Sequence, residues 1–480
     1  MSNDVNSKGE SLEHGRPIVF RNGIVITMDN QHRVLKNSDV LIVDGVIKEI
    51  GPNLSAPDGA LSIDASGGII MPGMIDTHRH MWQTAMRGYG ADWSLSQYFV
   101  WYYLQHGKNF RPEDIYAGNL LSAIEAVDAG VTTTVDWSHG LQSTDHADAA
   151  VDALEAVPGR FILAYGNIQA APWEWAVSKE FKDFYSRRFG SKNDMLGFNI
   201  AFDVLGDPSF PEKPAFDTAK ELGVPVTTHC GVYGVNGDES IRLMHENGCM
   251  GPDTTFVHCS SLSADSYHRI AASGGSASVA TESEQSAGQG YPSSWVLRQY
   301  DIPISLSHDT SVWWSSDFFT AMRSTAGADR SRQHFESQLK GEQVINLDVR
   351  CEEVVHWATR GGAKAIGLED KVGSLEVGKR ADVVLVKNDD SPAMFPIINA
   401  YGHVVMQAQR ADVDTVVIDG KIVKHEHKLV GIDLGAARTA TEKTVTYLAD
   451  TIGEEAWVSG QNPELTDRQV NENPYKYVNE

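Results

Sequence analysis

Short segments in which apolar and polar residues alternate occur near both ends of the chain. Near the amino terminus, PIVFRNGIVITMD and DVLIVDGVIKEIG contain NG and DG pairs, which favour tight hairpin turns. Near the other end, RADVVLVKND and VDTVVIDGKIVKHEH show the same pattern around a DG turn. The sequence therefore predicts one small β-sandwich built from residues 17–68 and residues 372–430.

A different pattern fills the middle of the chain. Eight short apolar runs each end in polar residues and precede a stretch of helix length. The eight runs are GGIIMPGMID, VTTTVDW, RFILAYG, LGFNIAFDV, VPVTTH, TTFVHC, SASVAT and PISLSHD. This alternation predicts an α/β fold with a (β/α)8 TIM-like barrel over residues 69–371. The alternative, an open doubly wound sheet, is disfavoured because no glycine-rich phosphate-binding turn follows any of the runs.

Two segments fall outside the barrel pattern. Trp313 to Arg350 is a predicted insertion before CEEVVHWATRGGAKAIG, which we expect to be the last helix of the barrel. Residues 431–480 are predicted to form a helical extension, AARTATEKTVTYLADTIG, followed by a polar surface tail.

Composition and charge narrow the classes of function. Of the 480 residues, 41% are hydrophobic and 22% charged, so the chain can bury a sizeable core. The net charge of −24 repels phosphate backbones and anionic lipids, which argues against a nucleic-acid or membrane partner. The four cysteines form no CxxC pair, and we expect neither a secretory signal nor a membrane span. We therefore predict a cytoplasmic protein that acts on a small molecule.

Polar residues at the ends of the predicted strands are the first candidates for a site, because barrel active sites lie at the carboxyl ends of the strands. His78 and His80 end strand one, and alternation along a strand points them to the same side. Strands five, six and eight end at His229, His258 and Asp309. An isolated HxH pair more often makes ordinary hydrogen bonds, but its combination with the other strand ends favours a metal. The set His78, His80, His229 and Asp309 suits an ion such as Zn²⁺ with one position left for water.

The segment PGMIDTHRHMWQTAMRGYGADWSL resembles the amidohydrolase superfamily, especially the branch of cytosine and guanine deaminases and triazine hydrolases. The similarity lies in PGxxxxHxH followed by Gln83 and by an Arg-Gly pair at Arg87, and it extends to GSLEVGKRADVVLV and DTVVIDGKIV. It implies a barrel with a two-ended sandwich, one divalent metal and hydrolysis of C–N or related bonds in small cyclic molecules. Zn²⁺ is the first choice of metal, with Fe²⁺ and Mn²⁺ as alternatives, and a homo-oligomer is expected.

The resemblance also implies roles for individual residues. His78, His80 and His229 become metal ligands, Asp309 becomes a ligand or the base that activates water, and His258 orients water or substrate. No lysine ends the fourth predicted strand, LGFNIAFDV, so the bridging lysine of two-metal relatives is missing. One metal is therefore expected.

The chain departs from the deaminase pattern at Val232. In the deaminases of this branch, a glutamate at this position carries a proton to the substrate ring, whereas valine cannot move a proton. Glu282 and Glu284, in the predicted loop after strand seven, and also His258 are candidates for the missing acid. A loop carboxylate is more often simply solvated, so the identity of the acid stays open.

Four further residues are candidate substrate contacts. Gln83 and Arg87 belong to the family-like motif, and Trp82 is one of several tryptophans after predicted strands that can stack against a flat ring. His139 follows strand two. A supporting hydrogen-bonded role for His139 and a packing role for Trp82 are equally open alternatives.

The expected function is a mononuclear metal-dependent hydrolase in which activated water attacks a C–N or related bond of a small aromatic or heterocyclic substrate. The second hypothesis is a metal-dependent lyase, because the same site can promote decarboxylation or ring opening without a proton-donating glutamate. A non-catalytic scaffold ranks last, because the chain keeps the full set of candidate ligands.

Overall fold

The strands of the computed structural model, which describes residues 15–465 together with Ser7 and Leu12, form two sheets. In chain order they are β1 (Ile18–Ile26), β2 (Val34–Val43), β3 (Val46–Gly51), β4 (Leu61–Asp64), β5 (Ile69–Pro72), β6 (Met74–Arg79), β7 (Val131–Ser138), β8 (Arg160–Tyr165), β9 (Leu196–Ala201), β10 (Val226–Cys230), β11 (Thr254–His258), β12 (Ser276–Val279), β13 (Ile304–Leu306), β14 (Val383–Val386), β15 (Val413–Ile418), β16 (Lys421–His425) and β17 (Lys428–Leu429).

The first sheet joins the two ends of the chain, and we call it the terminal sheet. Its order is β17-β16-β15-β14-β5-β1-β2-β3, with β4 paired to β1. β14 pairs antiparallel with β5, Val384 opposite Met71, so the late strands continue the early ones edge to edge. Residues from both ends share one core, among them Phe20, Val40 and Leu385. The predicted module from both chain ends is confirmed, and it is one continuous hydrogen-bonded sheet.

The run predicted as the first barrel strand divides between the two sheets at Gly73. Ile69–Pro72 belongs to the terminal sheet, and Met74–Arg79 begins the barrel. A β-carbon at residue 73 would lie 2.1 Å from Thr132 Oγ1, so glycine is needed for this close approach to the second barrel strand. The terminal sheet therefore reaches past the predicted boundary at residue 68.

The second sheet is the barrel. Strands β6 to β13 lie side by side in chain order, and each neighbouring pair is parallel. The first and last strands meet where Asp309 N donates to the His78 carbonyl at 3.0 Å and His80 N donates to the Asp309 carbonyl at 2.6 Å. The predicted (β/α)8 barrel is confirmed, and its closing bonds lie within the candidate site.

Helices connect the strands and form the outer layer. They are α1 (Leu95–Phe99), α2 (Pro112–Asp128), α3 (Thr144–Glu155), α4 (Pro172–Trp175), α5 (Lys179–Phe189), α6 (Lys213–Leu222), α7 (Asp238–Glu246), α8 (Ala264–Ser273), α9 (Thr281–Ala287), α10 (Ser294–Gln299), α11 (Phe318–Leu339), α12 (Cys351–His356), α13 (Gly362–Ala365), α14 (Ala400–Met406), α15 (Leu434–Ile452) and α16 (Glu454–Ser459), with π-helices at Val100–His106 and Trp357–Gly361 and 3-10 turns at Met81–Met86, Gly107–Asn109, Pro392–Met394 and Arg410–Asp412. α11 fills most of the predicted insertion, and α9 replaces the loop predicted after strand seven.

The carboxyl-terminal extension packs on the barrel through α15. The Thr444 hydroxyl donates to Asp114 of α2 at 2.8 Å, and the Arg111 guanidinium lies 3.4 Å from the centroid of the Tyr447 ring. Most of the predicted polar tail, residues 466–480, lies outside the described residues. In the part of the chain that the structure covers, no helix has both the length and the apolar character needed to cross a membrane.

Candidate functional site

The candidate site lies at the carboxyl ends of barrel strands one, five, six and eight. His78 is in β6 and His80 follows that strand. His229 is the last but one residue of β10, His258 ends β11, and Asp309 follows β13. All five side chains are buried. Because parallel strands of a barrel end at one rim, residues that are far apart in sequence meet here.

The distances between these side chains suit one metal ion. His78, His80 and Asp309 form a group whose candidate ligand atoms lie within 4.8 Å of one another, and His78, His229 and His258 form a second. Asp309 Oδ1 lies 3.2 Å from His78 Nε2 and 3.3 Å from His80 Nε2. Two atoms bound to a tetrahedral ion at about 2.0–2.1 Å lie about 3.3 Å apart. The observed separations therefore match neighbouring ligands of one ion.

In two of the histidines, the ring nitrogen that faces away from the cluster makes a hydrogen bond, which leaves the nitrogen facing the cluster available to bind a metal. His80 Nδ1 lies 2.8 Å from the Trp137 carbonyl, and His229 Nδ1 lies 2.8 Å from Asp203 Oδ1. When the outer nitrogen donates, the ring is fixed and the lone pair stands on the inner nitrogen. Burial also lowers the pKa of His80 to about 4, so at pH 7 this ring is neutral, as a metal ligand must be.

Asp309 is held through both its backbone and its side chain. Its φ of 68° lies in the left-handed region, where residues other than glycine are uncommon and are often functional. Oδ2 accepts hydrogen bonds from Ser283 Oγ and, at 3.3 Å, from Gln289 Nε2. Burial acts to raise the pKa of Asp309, but the hydrogen bond to His78 and the nearby histidines outweigh burial and hold the pKa well below its usual value. Asp309 is therefore a carboxylate with Oδ1 facing the histidines.

His258 is paired with a buried glutamate. Its Nδ1 lies 3.2 Å from Glu284 Oε1, and Glu284 Oε2 has no hydrogen-bond partner among the described residues. Burial acts to lower the pKa of His258, but the hydrogen bond to Glu284 and the charge of Asp309 outweigh burial and raise the pKa. Burial raises the pKa of Glu284 despite the bond to His258. A buried imidazole and carboxyl at this distance can hold and pass a proton between them.

Glu282 faces away from this pair. Both glutamates lie on α9, and side chains two residues apart on a helix point about 200° apart. Glu282 Oε1 accepts a hydrogen bond from Ser324 of α11 at 3.4 Å. Burial, and then the charge of Asp317, raise the pKa of Glu282 to about 7. In this structure Glu282 contacts α11 and not His258, and its catalytic role stays a prediction.

Gln83 and His139 lie behind the cavity wall and contact Tyr98. Gln83 Nε2 donates to the Tyr98 hydroxyl at 2.7 Å, and that hydroxyl lies 3.2 Å from His139 Nε2. His139 Nδ1 accepts from Trp82 Nε1 at 3.2 Å. The Trp82 ring is fully buried against Phe110. Of the two alternatives for Trp82, the structure shows core packing, and Gln83 and His139 contact Tyr98 of the cavity wall.

Arg87 belongs to a charge cluster around Glu125. Its guanidinium lies 2.7 Å from Glu125 Oε2, which also lies 3.2 Å from Arg79. Arg410 pairs with the other oxygen of Glu125 at 3.2 Å. Arg79 is almost completely buried, and a buried charge needs paired partners. Arg87 therefore forms an ion pair in this cluster, and its contact with substrate stays a prediction.

A narrow cavity lies beside the histidines. The space open to the centres of water-sized molecules is about 30 Å³, enough for one or two waters. The cavity is lined by His80, His229, His258 and Asp309, by Asp203, Asn236 and Gln289, and by Leu95, Tyr98, Phe99, Tyr103, Val232, Val235 and Trp313. Val232, at the position of the deaminase glutamate, is thus part of an apolar wall. The cavity in this structure is too small for a ring-sized molecule.

Much of the wall belongs to residues 94–106, which we call the cover segment. It begins at the N-cap Ser94, forms α1 and continues as a π-helix, a form frequent at functional sites. Next to it, Trp93 Nε1 donates to the Gly460 carbonyl at 3.0 Å, and within it Gln97 Nε2 donates to the Pro463 carbonyl at 2.5 Å. Residues of the carboxyl-terminal extension therefore hold the cover segment over the site.

Several residues of the site were missed by sequence reasoning. Asp203 stands near the end of LGFNIAFDV, and a carboxylate at the end of a barrel strand is a signal that the sequence contains. Ser283 lies between Glu282 and Glu284, and its hydroxyl has no separate signal in the sequence. Tyr98 lies in a segment without strand periodicity, so its place in the wall could be found only from the fold.

A closed parallel barrel with histidines and an aspartate gathered at the carboxyl ends of its strands defines the class of metal-dependent barrel hydrolases. The comparison with known families agrees with this class. The chain belongs to the amidohydrolase family, a model of which matches residues 69–423. The predicted family and the predicted class of enzyme, a hydrolase, are confirmed.

Individual relatives cover almost the whole chain. The 5′-deoxyadenosine deaminase of Methanosarcina acetivorans is 26% identical over 451 residues, which are 89% of this chain and 98% of that protein. The 5-methylthioadenosine/S-adenosylhomocysteine deaminase of Desulforudis audaxviator is 26% identical over 451 residues, 91% of this chain and 100% of that protein.

Solved structures share the fold. An adenosine deaminase from Xanthomonas campestris with bound zinc has a TM-score of 0.75 at 20% identity, over 90% of this chain and 98% of that one. The atrazine chlorohydrolase of Arthrobacter aurescens complexed with zinc has a TM-score of 0.74 at 19% identity, over 89% of this chain and 100% of that one.

Proposed function

We propose that this chain is a mononuclear metal-dependent hydrolase of the deaminase type, which replaces an amino group on a small heterocycle by oxygen and releases ammonia. The observation that carries the proposal is the convergence of His78, His80, His229 and Asp309, from the ends of three separate strands, at separations suited to one ion. The deaminase relatives favour hydrolysis at a C–N bond over the lyase alternative.

The proposed metal ligands are His78, His80, His229 and Asp309, and the proposed metal is zinc. The donor set fits, because zinc prefers imidazole nitrogen and carboxylate oxygen as ligands. A divalent ion held there supplies a Lewis acid that makes water nucleophilic at neutral pH. Asp203 orients His229 through the bond to its Nδ1.

Two groups of the protein handle protons in this proposal. Asp309 takes the proton of the attacking water on its carboxylate, which is ionised at neutral pH. His258 faces the cavity and delivers a proton from its ring to the leaving group, while Glu284 at Nδ1 stabilises the charged ring. The His258–Glu284 pair thereby replaces the glutamate that Val232 displaces.

The cavity wall restricts the chemistry of the substrate. Aromatic rings of Tyr98, Phe99 and Trp313 suit a flat ring, and Asp203 adds a carboxylate. Among the described residues that line the cavity, there is no lysine or arginine to bind a carboxylate or phosphate. The proposed substrates are therefore neutral or cationic amino-heterocycles, and adenosine-type compounds without an anionic group are the first to test.

The experiment is turnover of amino-, chloro- and amide-substituted heterocycles by the zinc-loaded protein in ¹⁸O-labelled water. We expect turnover of the amino-substituted compounds, with one ammonia released and one solvent oxygen incorporated for each product molecule. Carbon dioxide release without solvent oxygen would replace the hydrolase by the lyase. Less than about half an equivalent of metal after purification, with no affinity on re-addition, would favour the scaffold.

We also propose, as expected from the sequence, that the protein is cytoplasmic and that it forms a homo-oligomer. Light scattering at micromolar concentration tests the oligomer, and a monomer at all concentrations would remove it.

A further inference from the structure

Asp309 is connected to the cavity wall through one buried serine. Ser283, fully buried in α9, donates from Oγ to Asp309 Oδ2. The same Oγ accepts a hydrogen bond from Trp313 Nε1 at 3.1 Å. The Trp313 ring lines the cavity, and its centroid lies 5.0 Å from that of Tyr98 in the cover segment. Two hydrogen bonds therefore connect a wall of the cavity to the carboxylate of the site.

The direction of both bonds follows from the chemistry of the groups. An indole N–H donates and cannot accept, so Ser283 Oγ is the acceptor for Trp313 and its own proton points to Asp309. Gln289 Nε2 is a second donor to the same carboxylate oxygen, at 3.3 Å. Oδ2 is thus occupied by protein donors, and Oδ1 is the oxygen that faces the histidines.

We propose that Ser283 is a positioning residue for Asp309. It fixes the carboxylate so that Oδ1 points to the metal position, and Trp313 keeps the Ser283 hydroxyl in the orientation that does so. A substrate that contacts the Trp313 ring is thereby coupled to the orientation of Asp309. This inference rests on the proposed function and extends it to residues that do not touch the reacting atoms.

The first test measures zinc affinity without substrate, by competition with a chromophoric chelator. Ser283→Ala in the full chain should weaken zinc binding by about 10- to 100-fold, the effect of losing a support behind a metal ligand. On a substrate that is turned over, kcat should fall while KM stays within about twofold, because the substituted group does not contact substrate. A merely structural role of Ser283 would lower the melting temperature without lowering kcat selectively over KM.

The second test separates the two bonds. Trp313→Phe keeps a ring in the wall but removes the N–H, and it should weaken zinc binding by about 2- to 13-fold, the range for one hydrogen bond. The double variant should bind zinc no more weakly than Ser283→Ala alone, because Trp313 acts through the serine. Additive losses would overturn the proposed chain of contacts.

Two matched controls use the same substitutions nearby. Trp314→Phe changes an indole whose Nε1 has no hydrogen-bond partner among the described residues, and Ser324→Ala removes a hydroxyl that contacts Glu282. Both should keep zinc affinity within about twofold.

The outcomes distinguish this inference from the proposed function. Unchanged zinc affinity in Ser283→Ala would overturn the positioning role whatever the reaction is. The expected zinc losses without turnover of any heterocycle would support the positioning role and refute the proposed function. If Ser283→Ala does not fold, Ser283→Thr, which keeps the hydroxyl, should retain affinity, and loss of affinity in that variant would count against the proposal.

Discussion

Replacing Glu282 by glutamine tests the assignment of this buried carboxyl to the helix layer. Glutamine has nearly the same shape and can keep the contact with Ser324, but it cannot ionise. Burial and the nearby Asp317 raise the pKa of Glu282 from 4.5 to about 7 in the folded protein. The folded state therefore binds the proton more tightly than the unfolded chain does, and it loses stability when the proton leaves.

The size and sign of the effect follow from this difference. Below about pH 4.5 both states carry the proton, and Glu282 contributes no pH dependence. Between pH 4.5 and 7 the free energy of unfolding falls by about 1.4 kcal/mol per pH unit, and above pH 7 the loss is constant at roughly 3 kcal/mol. Glu282→Gln lacks this loss, so its stability relative to the natural protein should rise from near zero at pH 4.5 to a plateau above pH 7.

Thermal melting at matched scan rates from pH 4.5 to 8.5 measures this difference, and a shift of a few degrees is expected at the upper end. Glu442→Gln, at an exposed position of α15, is the matched control and should show no pH-dependent difference. If the difference in stability between Glu282→Gln and the natural protein does not change with pH, or falls as pH rises, the argument that Glu282 is a buried carboxyl with a raised pKa is refuted. A large loss of kcat in the same variant would return Glu282 to the catalytic machinery.

Three further predictions address the site and the packing beneath it. Glu284→Gln should lower kcat by about 10²- to 10⁴-fold with zinc still bound, because it removes the partner that stabilises the charged ring of His258. A steady-state rate equal to that of the natural protein would contradict the role of His258 and Glu284 in proton transfer. Asp203→Asn should weaken zinc binding by about 10- to 100-fold in chelator competition, since it loosens the outer bond of His229, and unchanged affinity would remove Asp203 from the site. Gly118→Ala would bring a β-carbon within 2.1 Å of the Trp82 carbonyl oxygen, so melting should show destabilisation of about 1–3 kcal/mol, and an unchanged melting temperature would mean that α2 shifts without cost.

The ring of candidate ligands could be predicted because each member stands at the end of an apolar run. His229 and Asp309 close strands five and eight, and the parallel barrel brings all such ends to one rim. The barrel and a β module built from both chain ends were predicted from the same periodicity, whereas the strand order of that module and its continuity as one sheet come from the structure.

The direction in which the other side chains point could not be predicted from the sequence in this way. Glu282 and Glu284 have the same chemistry in sequence, and only the helix that replaces the predicted loop turns one toward His258 and the other toward α11. Trp82 and Arg87 belong to the most family-like segment, yet the turn Met81–Met86 buries the first and Glu125 binds the second. Such outcomes depend on tertiary neighbours that have no local signal.

The joining of both chain ends has a consequence for synthesis on the ribosome. Met71 in β5 pairs with Val384, about 300 residues later, and at roughly 5–20 residues per second that partner arrives roughly 15–60 s after β5 is made. During this interval the nascent strand has an open edge of the kind that recruits foreign strands. Pro463, which holds Gln97, is made later still. A polypeptide released early therefore has neither a finished sheet nor a sealed site, and quality control by chaperones and proteases can recognise it by the same unpaired edge.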